Sequence, residues 1–401
     1  MLAFEEALAR VLAAVPAPAS EDVALREAAG RVLAEQVRSP IDLPVFDNSS
    51  MDGYALRAAD VASAKPDAPV RLRLAGKIAA GEVFAGEVTA GHCVRLFTGS
   101  PLPAGADAVV MQEATRVESN APGEVLILAP AAPRENVRPL GEDVKRGSSV
   151  GQAGELLTTG QVGLLAAVGL TTVRVGRRPV VGLLATGSEL QEPGQPLASG
   201  RIYESNRVAL AMLMERAGAV PRIYPLVADE LAATGLALAN ACDQCNAVVT
   251  TGGVSVGELD FIKGALQQIG GELAFWRVAI KPGRPFAFGR CRGKLLFGLP
   301  GNPVSALVTF LLLVRPALLL WQGAAHVSLP AVPGVLAERL VNDGERRHFM
   351  RVKVDAGGNI CSAGLQASHV LSSLALANGL VDVPANTTLP AGTVVSVLRW
   401  D

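Results

Sequence analysis

The chain has little charge and few aromatic side chains. Only 18% of its 401 residues are Asp, Glu, Lys or Arg, and only 4% are Phe, Trp or Tyr. Because 50% are hydrophobic, the composition excludes the disorder that follows from high charge and low hydrophobicity. A chain of this length is expected to fold into roughly two to four domains.

An excess of basic residues is also absent. The 36 Lys and Arg residues are balanced by 37 Asp and Glu residues, which gives a net charge of -1. Proteins that bind nucleic acid neutralise phosphates with surplus Lys and Arg. We therefore expect no nucleic-acid partner.

No membrane span or secretory signal is predicted. The uncharged apolar stretch 304–314 stops at Arg315 and Pro316, and roughly 20 apolar residues are needed to cross a bilayer. Glu5 and Glu6 stand where a secretory signal would carry basic residues. These features predict a cytoplasmic protein that does not bind membranes.

Cysteine and histidine are scarce. The five cysteines are an odd number in a long chain, which argues against a disulfide framework. Cys242 and Cys245 form a C-x-x-C pair, but no second pair and no nearby histidine completes a metal site, so their role is left open. The histidines are dispersed without ligand spacing and are expected on the surface or in packing: His92, His326, His348 and His369.

Hydrophobic periodicity changes several times along the chain. It predicts helix through residues 1–37, with a second apolar run at 23–33. An irregular polar loop is predicted over 39–57, and alternating runs bounded by Gly and Pro predict a small β domain over 70–128. Another helix is predicted over 158–169.

From Pro179 to Leu320, buried apolar strands alternate with helices. This order predicts an α/β domain with a doubly wound, mostly parallel sheet. After Pro330 the runs are short and β-like again, which predicts a second small β domain of about 70 residues. The predicted fold class is therefore α/β plus β, in several domains.

Each strand of the α/β domain ends in a loop of unusual composition. The loops lie at 185–190, at Asp229, and at 250–260, 280–285 and 298–305. In a doubly wound sheet, the carboxyl ends of the strands meet where such folds bind ligands. We therefore expect these loops to line one crevice.

The composition of these loops indicates a ligand that carries phosphate or another oxyanion. Glycines allow backbone N–H groups to approach closely, hydroxyls add donors, and the helices after Glu258 and at Pro303 present the positive ends of their dipoles. Lys281 and Arg284 add two cations on a stiff turn. The small and hydroxyl-bearing residues concerned are Thr186, Gly187, Ser188, Thr250, Thr251, Gly252, Gly253, Ser255, Gly283 and Gly301.

Carboxylates share the rim of this crevice. Glu189, Asp229 and Asp260 stand beside the predicted anion site, and carboxylates next to phosphate imply a bridging hard cation, most simply Mg²⁺. Asp229 has a second interpretation as the N-cap of the following helix. Glu258 stands where a P-loop needs its lysine, and no G-x-G-x-x-G opens a helix after a strand, so neither a P-loop nor a dinucleotide fold is favoured.

Two polar loops outside the α/β domain are also rich in functional groups. The stretch DNSSMDGYALR contains Asp47 and Asp52, while RLFTGSPLP and GEDVK contain Thr98, Ser100 and Asp143. All of these are ordinary turn-forming residues as well, so composition alone favours a structural role.

Nine motifs follow one another in the order typical of a known family. They are FDNSSMDGYALR, FTGSPLP, AVVMQE, RPLGEDVKRG, ATGSEL, TTGGVSVGELDF, AFWRVAIKPGRPFAFG, GLPGNPVS and LSSLALANGL. Along nearly its full length the chain thus resembles the molybdopterin molybdenumtransferases, the MoeA family. The resemblance implies insertion of molybdenum from molybdate into adenylylated molybdopterin, with release of AMP and with Mg²⁺ or a similar divalent ion. It also implies an elongated homodimer, and it leaves open a partnership with the pterin adenylyltransferase.

The resemblance implies four domains. A discontinuous first domain takes residues 1–45 and 140–176, and a small β domain at 46–139 interrupts it. The α/β domain, of the molybdopterin-binding type, takes 177–327. A C-terminal domain like a β-barrel takes 328–401.

The matching motifs also imply site residues. Catalytic roles are implied for Asp52, Asp143, Glu189, Asp229 and Asp260, of which the last three are predicted to hold the metal. Arg277, Lys281 and Arg284 are predicted to neutralise molybdate; the family commonly has lysine at 277 and 284, so contact of these two arginines with the oxyanion stays open. Further substrate contacts are implied for Thr98, Thr186, Gly187, Ser188, Thr251, Gly252, Gly253, Ser255, Pro300, Asn302, Pro303 and Ser305.

Two other functions are compatible with parts of the sequence. The unit around TTGGVSVG also resembles a pterin adenylyltransferase domain and a pyrophosphatase domain, which makes nucleotide transfer or hydrolysis the enzymatic alternative. The flanking β domains argue against it. A non-enzymatic scaffold would need a long disordered linker or an extra domain, and the sequence shows neither. The identity of the metal and the choice between molybdate and tungstate stay open.

Overall fold

A computed structural model describes residues 1–79, 81–253 and 261–400 of the chain. The chain forms two compact units. One contains Met1–Glu35, Ala153–Leu157 and Val173–Asp401, and the other contains Gln36–Gln152 and Thr158–Thr172. The four domain boundaries inferred from the sequence stay predictions.

The unit that begins at Gln36 is built on a six-stranded sheet, which confirms the small β domain. Its strands lie in the order Ala108–Met111, Gly53–Leu56, His92–Leu96, Val70–Lys77, Glu124–Ile127 and Thr115–Arg116. The remaining elements are the strands Val37–Arg38, Asn48–Ser49, Val137–Arg138 and Ser149–Gly151, the 3-10 turns Ala58–Val61 and Gln112–Ala114, and the helix Thr159–Ala167.

The prediction of a loop over the whole of 39–57 is wrong for the short strand Asn48–Ser49 and for the strand Gly53–Leu56. Gly53–Leu56 is a fully buried strand that pairs with a neighbour on each side. Because the strand is covered on both faces, it lacks the apolar–polar alternation that identifies a half-exposed strand. Gly53 is required there, since a Cβ would lie 2.1 Å from the backbone oxygen of Val110.

The N-terminal segment contains one helix instead of a helical region through residue 37. The helix Phe4–Ala13 is followed by the strand Ser20–Ala24 and the 3-10 turn Leu25–Glu27. Pro16 and Pro18 separate the two parts and prevent the helix from continuing. The strand pairs with Thr172–Gly176.

The α/β domain has the predicted doubly wound sheet. Across the sheet the strands are Val220–Ile223, Val180–Ala185, Ala247–Thr251, Lys294–Leu299, Ala287–Cys291 and Glu272–Trp276. The first four are parallel to one another. Ala287–Cys291 pairs in antiparallel orientation with Lys294–Leu299 on one side and with Glu272–Trp276 on the other. Its helices are Asn206–Arg216, Leu231–Gln244 and Phe261–Gln268, followed by a long last helix.

That last helix runs from Pro303 to Trp321 and continues through Arg315 and Pro316, where the uncharged apolar stretch of the sequence stops. It consists of Pro303–Thr309, a π-helical turn at Phe310–Val314, and Arg315–Trp321. The π turn lets the chain accept a proline, which has no N–H to donate, without breaking the helix. By length and hydropathy this helix could cross a membrane. However, 78% of its apolar 18-residue stretch is buried inside the protein, as in the core helix of a globular domain.

The C-terminal segment closes into a five-stranded barrel, which confirms the predicted fold of this part. Around the barrel the strands are Arg347–Val354, Asn359–Ser362, Ala331–Leu336, Val394–Arg399 and Gly379–Val383, and the last pairs with the first. A pair of short strands and a short helix complete it: Leu340–Asn342, Thr387–Leu389 and Leu371–Leu376. Ile280–Lys281, from the α/β domain, pairs in parallel with Arg347–Val354.

Candidate functional site

Two cavities lie at the carboxyl ends of the parallel strands, where the sequence predicted a crevice. The larger has a volume of about 720 Å³ and the smaller about 630 Å³. Both are lined by Pro285, Pro300, Asn302 and His369. Because they share these walls, the two cavities form one cleft.

Glycine lets two loops meet closely in the larger cavity. Thr186 follows the strand Val180–Ala185, and Gly252 and Gly253 follow Ala247–Thr251. Both glycines adopt left-handed φ angles of 87° and 63°, and a Cβ would lie 2.3 Å from the Thr186 backbone oxygen or 2.8 Å from its Oγ1. These positions therefore require glycine, and Thr186, Gly187, Thr251, Gly252 and Gly253 line the cavity together, as predicted.

The carboxylates Glu189 and Asp229 also line the larger cavity. Asp229 Oδ2 accepts a hydrogen bond from the backbone N–H of Ser188 at 2.8 Å, and the Asp229 N–H donates to Ser188 Oγ at 3.2 Å. The side chain of Asp229 therefore does not cap the helix Leu231–Gln244, whose N-cap residue is Glu230.

The donor set of this cavity fits Mg²⁺, which binds one or two carboxylates and takes its other ligands from water and phosphate. Glu189 and Asp229 supply two carboxylates on one wall. Asp260 and Ser255, also predicted at this site, lie outside the described residues. Within the described ranges no group of three or more His, Cys, Asp or Glu side chains is placed to hold a metal ion.

A buried arginine fixes the arm that borders the larger cavity. The arm contains the parallel strand pair Leu190–Gln191 and Ile202–Tyr203. Arg207 Nη2 donates to Glu192 at 2.6 Å and its Nε donates to the buried Glu204 at 3.0 Å. Arg207 thus connects the residues that follow the two strands. Its loss would leave the buried carboxylate of Glu204 without a partner cation.

The smaller cavity is cationic. It is lined by the predicted Lys281 and Arg284 and by Arg346, which sequence reasoning missed. Arg346 Nη1 donates to the Ile280 backbone oxygen at 2.8 Å. Burial lowers the pKa of Arg346, and the nearby charge of Arg284 lowers it further. Among the described residues that line this cavity there is no carboxylate to offset the charge.

His348 lies buried beside these cations and does not add to their charge. It stands opposite Lys281 in the parallel strand pair, and neither ring nitrogen has a hydrogen-bond partner among the described residues. Burial, together with the charges of Lys281, Arg351 and Arg346, lowers the pKa of His348 to about 4. The imidazole is therefore neutral near pH 7.

The segment 298–305, which leads from the strand Lys294–Leu299 into the helix Pro303–Thr309, contributes to both cavities. Pro300, Asn302 and Pro303 line the larger one, while Ser305 lines the smaller. Asn302 Nδ2 donates to Ser368 Oγ of the C-terminal segment at 3.1 Å. This segment therefore joins the α/β domain to the barrel at the cleft.

Arg277 is not among the residues that line either cavity. Its guanidinium carbon lies 3.9 Å from the centre of the Trp276 ring, and its backbone has a left-handed φ of 75°. The structure thus gives Arg277 a stacking contact and does not bring it to the predicted oxyanion site.

Asp52, Thr98 and Asp143 belong to the other compact unit. Asp52 Oδ1 accepts hydrogen bonds from the Thr98 backbone N–H at 2.8 Å and from Thr98 Oγ1 at 2.9 Å. These two bonds lower the pKa of Asp52, which is partly exposed and ionised at neutral pH. Asp143 is exposed, and its backbone N–H donates to the Leu43 oxygen.

The C-x-x-C pair lies in the interior of the α/β domain. Cys242 and Cys245 are both buried, and burial raises the pKa of the Cys242 thiol. A buried thiol that stays protonated is neither a good nucleophile nor a metal ligand. Both residues pack in the hydrophobic core beneath the sheet.

Sequence reasoning missed several residues of the cleft because they come from segments without a loop signature. Arg346 lies in a β-like run, and Gln366, Ser368 and His369 precede a short helix. Tyr203 and Asn206 lie at the start of a helix pattern and line the larger cavity. No local signal in the sequence identifies Tyr203 or Asn206, because their place in the cavity depends on tertiary packing.

Comparison with known proteins gives a consistent result along the chain. Family models match in three segments: "MoeA N-terminal region (domain I and II)" over residues 2–169, "Probable molybdopterin binding domain" over 182–319, and "MoeA C-terminal region (domain IV)" over 333–400.

Full-length relatives extend this similarity. The molybdopterin molybdenumtransferase of Haemophilus influenzae is 40% identical over 384 residues, which cover 94% of this chain and 93% of that protein. The molybdopterin molybdenumtransferase of Bacillus subtilis is 35% identical over 399 residues, or 98% and 93% of the two chains. The crystal structure of the molybdopterin biosynthesis MoeA protein from Pyrococcus horikoshii superimposes with a TM-score of 0.85 at 32% identity and covers 100% of both chains.

Proposed function

This chain belongs to the family of molybdopterin molybdenumtransferases, enzymes of molybdenum cofactor biosynthesis, and from that premise we propose that it inserts molybdenum from molybdate into adenylylated molybdopterin and releases AMP. The observation that carries the proposal is the union of two unlike cavities in one cleft. One is cationic and the other is lined by glycines, hydroxyls and carboxylates.

The smaller cavity is the proposed molybdate site. Molybdate is a tetrahedral dianion, and Lys281, Arg284 and Arg346 surround a space without a carboxylate among its described lining. Cations that are partly removed from water attract an anion more strongly than they would in bulk solvent. The neutral imidazole of His348 leaves this charge unchanged near pH 7.

The larger cavity is the proposed site of the adenylylated pterin. The close contact of Gly252 and Gly253 with Thr186 packs the loops at the ends of two strands together at the wall of this cavity, where their backbone N–H groups are the proposed donors to the pyrophosphate bridge. Pro300 and Asn302 lie in both cavities, so a pterin bound here would have its dithiolene within reach of the neighbouring oxyanion.

Glu189 and Asp229 would hold Mg²⁺ in this cavity. A bound divalent ion would neutralise charge on the pyrophosphate. The reciprocal bonds between Asp229 and Ser188 fix the loops at the ends of two strands relative to each other. These loops would thereby orient the pyrophosphate.

Assembly and location remain part of the proposal. We propose a homodimer in the cytoplasm, following the family resemblance, and the same resemblance suggests roles for Asp52, Thr98 and Asp143. Thr98 and Asp143 are exposed and Asp52 is partly exposed in the other compact unit, which supports a contact with a substrate or a partner subunit. Use of a separate adenylyltransferase as the substrate donor is also proposed.

The experiment is a reconstitution. Purified protein is incubated with adenylylated molybdopterin, molybdate and Mg²⁺, and both AMP and a cofactor that activates a molybdenum-free apoenzyme are measured. The proposal predicts both products in equal amounts. AMP without active cofactor would instead indicate a nucleotide hydrolase.

A further inference from the structure

Asn206 occupies an unusual position in the cleft. It is the first residue of the helix Asn206–Arg216, its side chain lines the larger cavity, and only 8% of the residue is exposed. A buried amide in a cavity wall is costly unless all its hydrogen-bonding groups are paired. The hydrogen-bonding group of this amide that lacks a protein partner therefore indicates which kind of ligand group would bind next to it.

The orientation of the Asn206 amide is fixed by its neighbours. Nδ2 donates to the Gly301 backbone oxygen at 2.7 Å and to Thr251 Oγ1 at 2.8 Å. A carbonyl oxygen can only accept, so the amide nitrogen must face Gly301. Thr251 Oγ1 in turn donates to the Pro300 oxygen at 3.1 Å, so it must accept from Asn206.

Both hydrogen bonds of the Thr251 hydroxyl are made within the protein. The sequence had predicted a substrate contact for this residue. The hydroxyl accepts from Asn206 and donates to Pro300, and Thr251 is only 2% exposed. Its effect on a ligand is therefore indirect, through the amide that it holds.

The other end of the amide has no partner. Asn206 Oδ1 is buried and accepts no hydrogen bond from any described residue, and the same holds for Thr186 Oγ1, which lines the same cavity. Leaving such an acceptor unpaired costs on the order of 1–3 kcal/mol. A ligand that donates a hydrogen bond would remove that cost.

We infer that Asn206 Oδ1 accepts a hydrogen bond from the exocyclic amino group of a flat heterocycle bound in the larger cavity. An amide oxygen has a partial negative charge and no hydrogen to donate, so it cannot bind phosphate or molybdate. Side-chain amides recognise the amino group of adenine in this way in nucleic-acid complexes. The inference rests on the proposed function only for the choice of heterocycles, since the adenylylated pterin carries an amino group on each of its two ring systems.

The volume and the apolar lining of the cavity agree with an aromatic ligand. Its volume of about 720 Å³ suits a nucleotide or a pterin, and Leu190, Ile202, Tyr203 and Leu371 supply apolar wall. Tyr203 Oη donates to the Gln195 oxygen at 2.7 Å, which holds the aromatic ring in place for stacking.

Binding of two matched ligand pairs tests the inference. Each pair differs only in the amino group: AMP with purine riboside 5′-monophosphate, and pterin with 4-hydroxypteridine. Calorimetric dissociation constants are measured for the full-length wild type and for Asn206→Ala, Thr251→Val and Thr251→Ser, each checked for folding by circular dichroism. We expect the wild type to prefer the amino member of one pair by roughly tenfold, and that pair identifies the ring bound at Asn206.

The variants separate recognition from mere structure. Asn206→Ala should reduce the preference to near one, Thr251→Val should reduce it partly, and Thr251→Ser, which keeps the hydroxyl, should retain it. Equal affinity within both pairs for the wild type would overturn the inference, whether or not the variants fold. Weaker binding of both members in Asn206→Ala with an unchanged preference would also overturn it. Since no molybdate or turnover is involved, a failure of molybdenum insertion would leave this result intact.

Discussion

Ser188 and Asp229 exchange hydrogen bonds across the carboxyl ends of two neighbouring parallel strands. The Ser188 backbone N–H donates to the Asp229 carboxylate at 2.8 Å, and the Asp229 N–H donates to the Ser188 hydroxyl at 3.2 Å. The pair joins two loops and leaves the charge of Asp229 at the wall of the larger cavity. Structural and chemical roles of the carboxylate can therefore be separated.

Asp229→Asn should separate the structural role of this carboxylate from its chemical role. The amide oxygen can still accept from the Ser188 N–H, so the melting temperature should change by less than about 2 °C, while loss of charge should reduce Mg²⁺-dependent AMP release by roughly tenfold to a hundredfold. Ser188→Ala is the matched comparison, because it removes one of the two reciprocal bonds but keeps the carboxylate, and it should therefore lower activity less than Asp229→Asn does. Full activity of Asp229→Asn with normal Mg²⁺ dependence would contradict the assigned role.

Lys281→Ala should weaken molybdate binding by about tenfold, since it removes one cation from a cavity without an opposing carboxylate among its described lining. Lys353→Ala is the control, because Lys353 is exposed on a barrel strand and does not line either cavity. Titration calorimetry with molybdate measures both. If the two variants bind molybdate equally well, the cationic cavity is not the molybdate site.

Thr98→Val should raise the pKa of Asp52. The folded-state pKa of this carboxyl is lowered by hydrogen bonds from the Thr98 backbone and hydroxyl, so the stabilisation it provides is present above the unfolded pKa of about 3.9 and is lost as pH falls through the folded pKa. Removing the hydroxyl leaves the backbone bond and should move the pKa only part of the way back.

Carbon-detected NMR titration of the Asp52 carboxyl measures this shift. Thr89→Val, an exposed threonine of the same unit, serves as the control and should leave the pKa unchanged. An Asp52 pKa that is the same in wild type and Thr98→Val would show that the hydroxyl bond is not formed in solution.

Thiol reactivity tests the assignment of the C-x-x-C pair to the core. Cys361 is exposed, whereas Cys93, Cys242, Cys245 and Cys291 are buried. Burial raises the pKa of Cys93 to about 12 and also raises that of Cys242. With a thiol reagent at pH 8 we expect one fast equivalent in the native protein, none in Cys361→Ser, and all five only after unfolding. Fast reaction of Cys242 or Cys245 would indicate a redox or metal role instead.

The parts that the sequence predicted well were those with a local signature. The loops around Thr186 and Gly252 follow buried strands, and strand order alone brings them to one edge of the sheet. The strand Gly53–Leu56 was missed because it is buried on both faces and shows no alternation. Periodicity cannot separate such a strand from an irregular loop.

The site residues that were missed depend on tertiary packing. Arg346 reaches the cleft because the strand Ile280–Lys281 pairs with the barrel, a contact between segments far apart in the sequence. The role of Thr251 required its partners Asn206 and Pro300 to be known. Hydrogen-bond partners of this kind have no signature in composition or spacing.

The central claim is that the protein transfers molybdenum and does not simply hydrolyse a nucleotide bond. The dependence of AMP release on molybdate tests it most directly: adenylylated molybdopterin and Mg²⁺ are supplied with molybdate, with sulfate, or with neither. We predict that AMP release rises with molybdate, saturates, and equals the molybdenum incorporated, while sulfate does not replace it. AMP release at the same rate in all three mixtures would contradict the account.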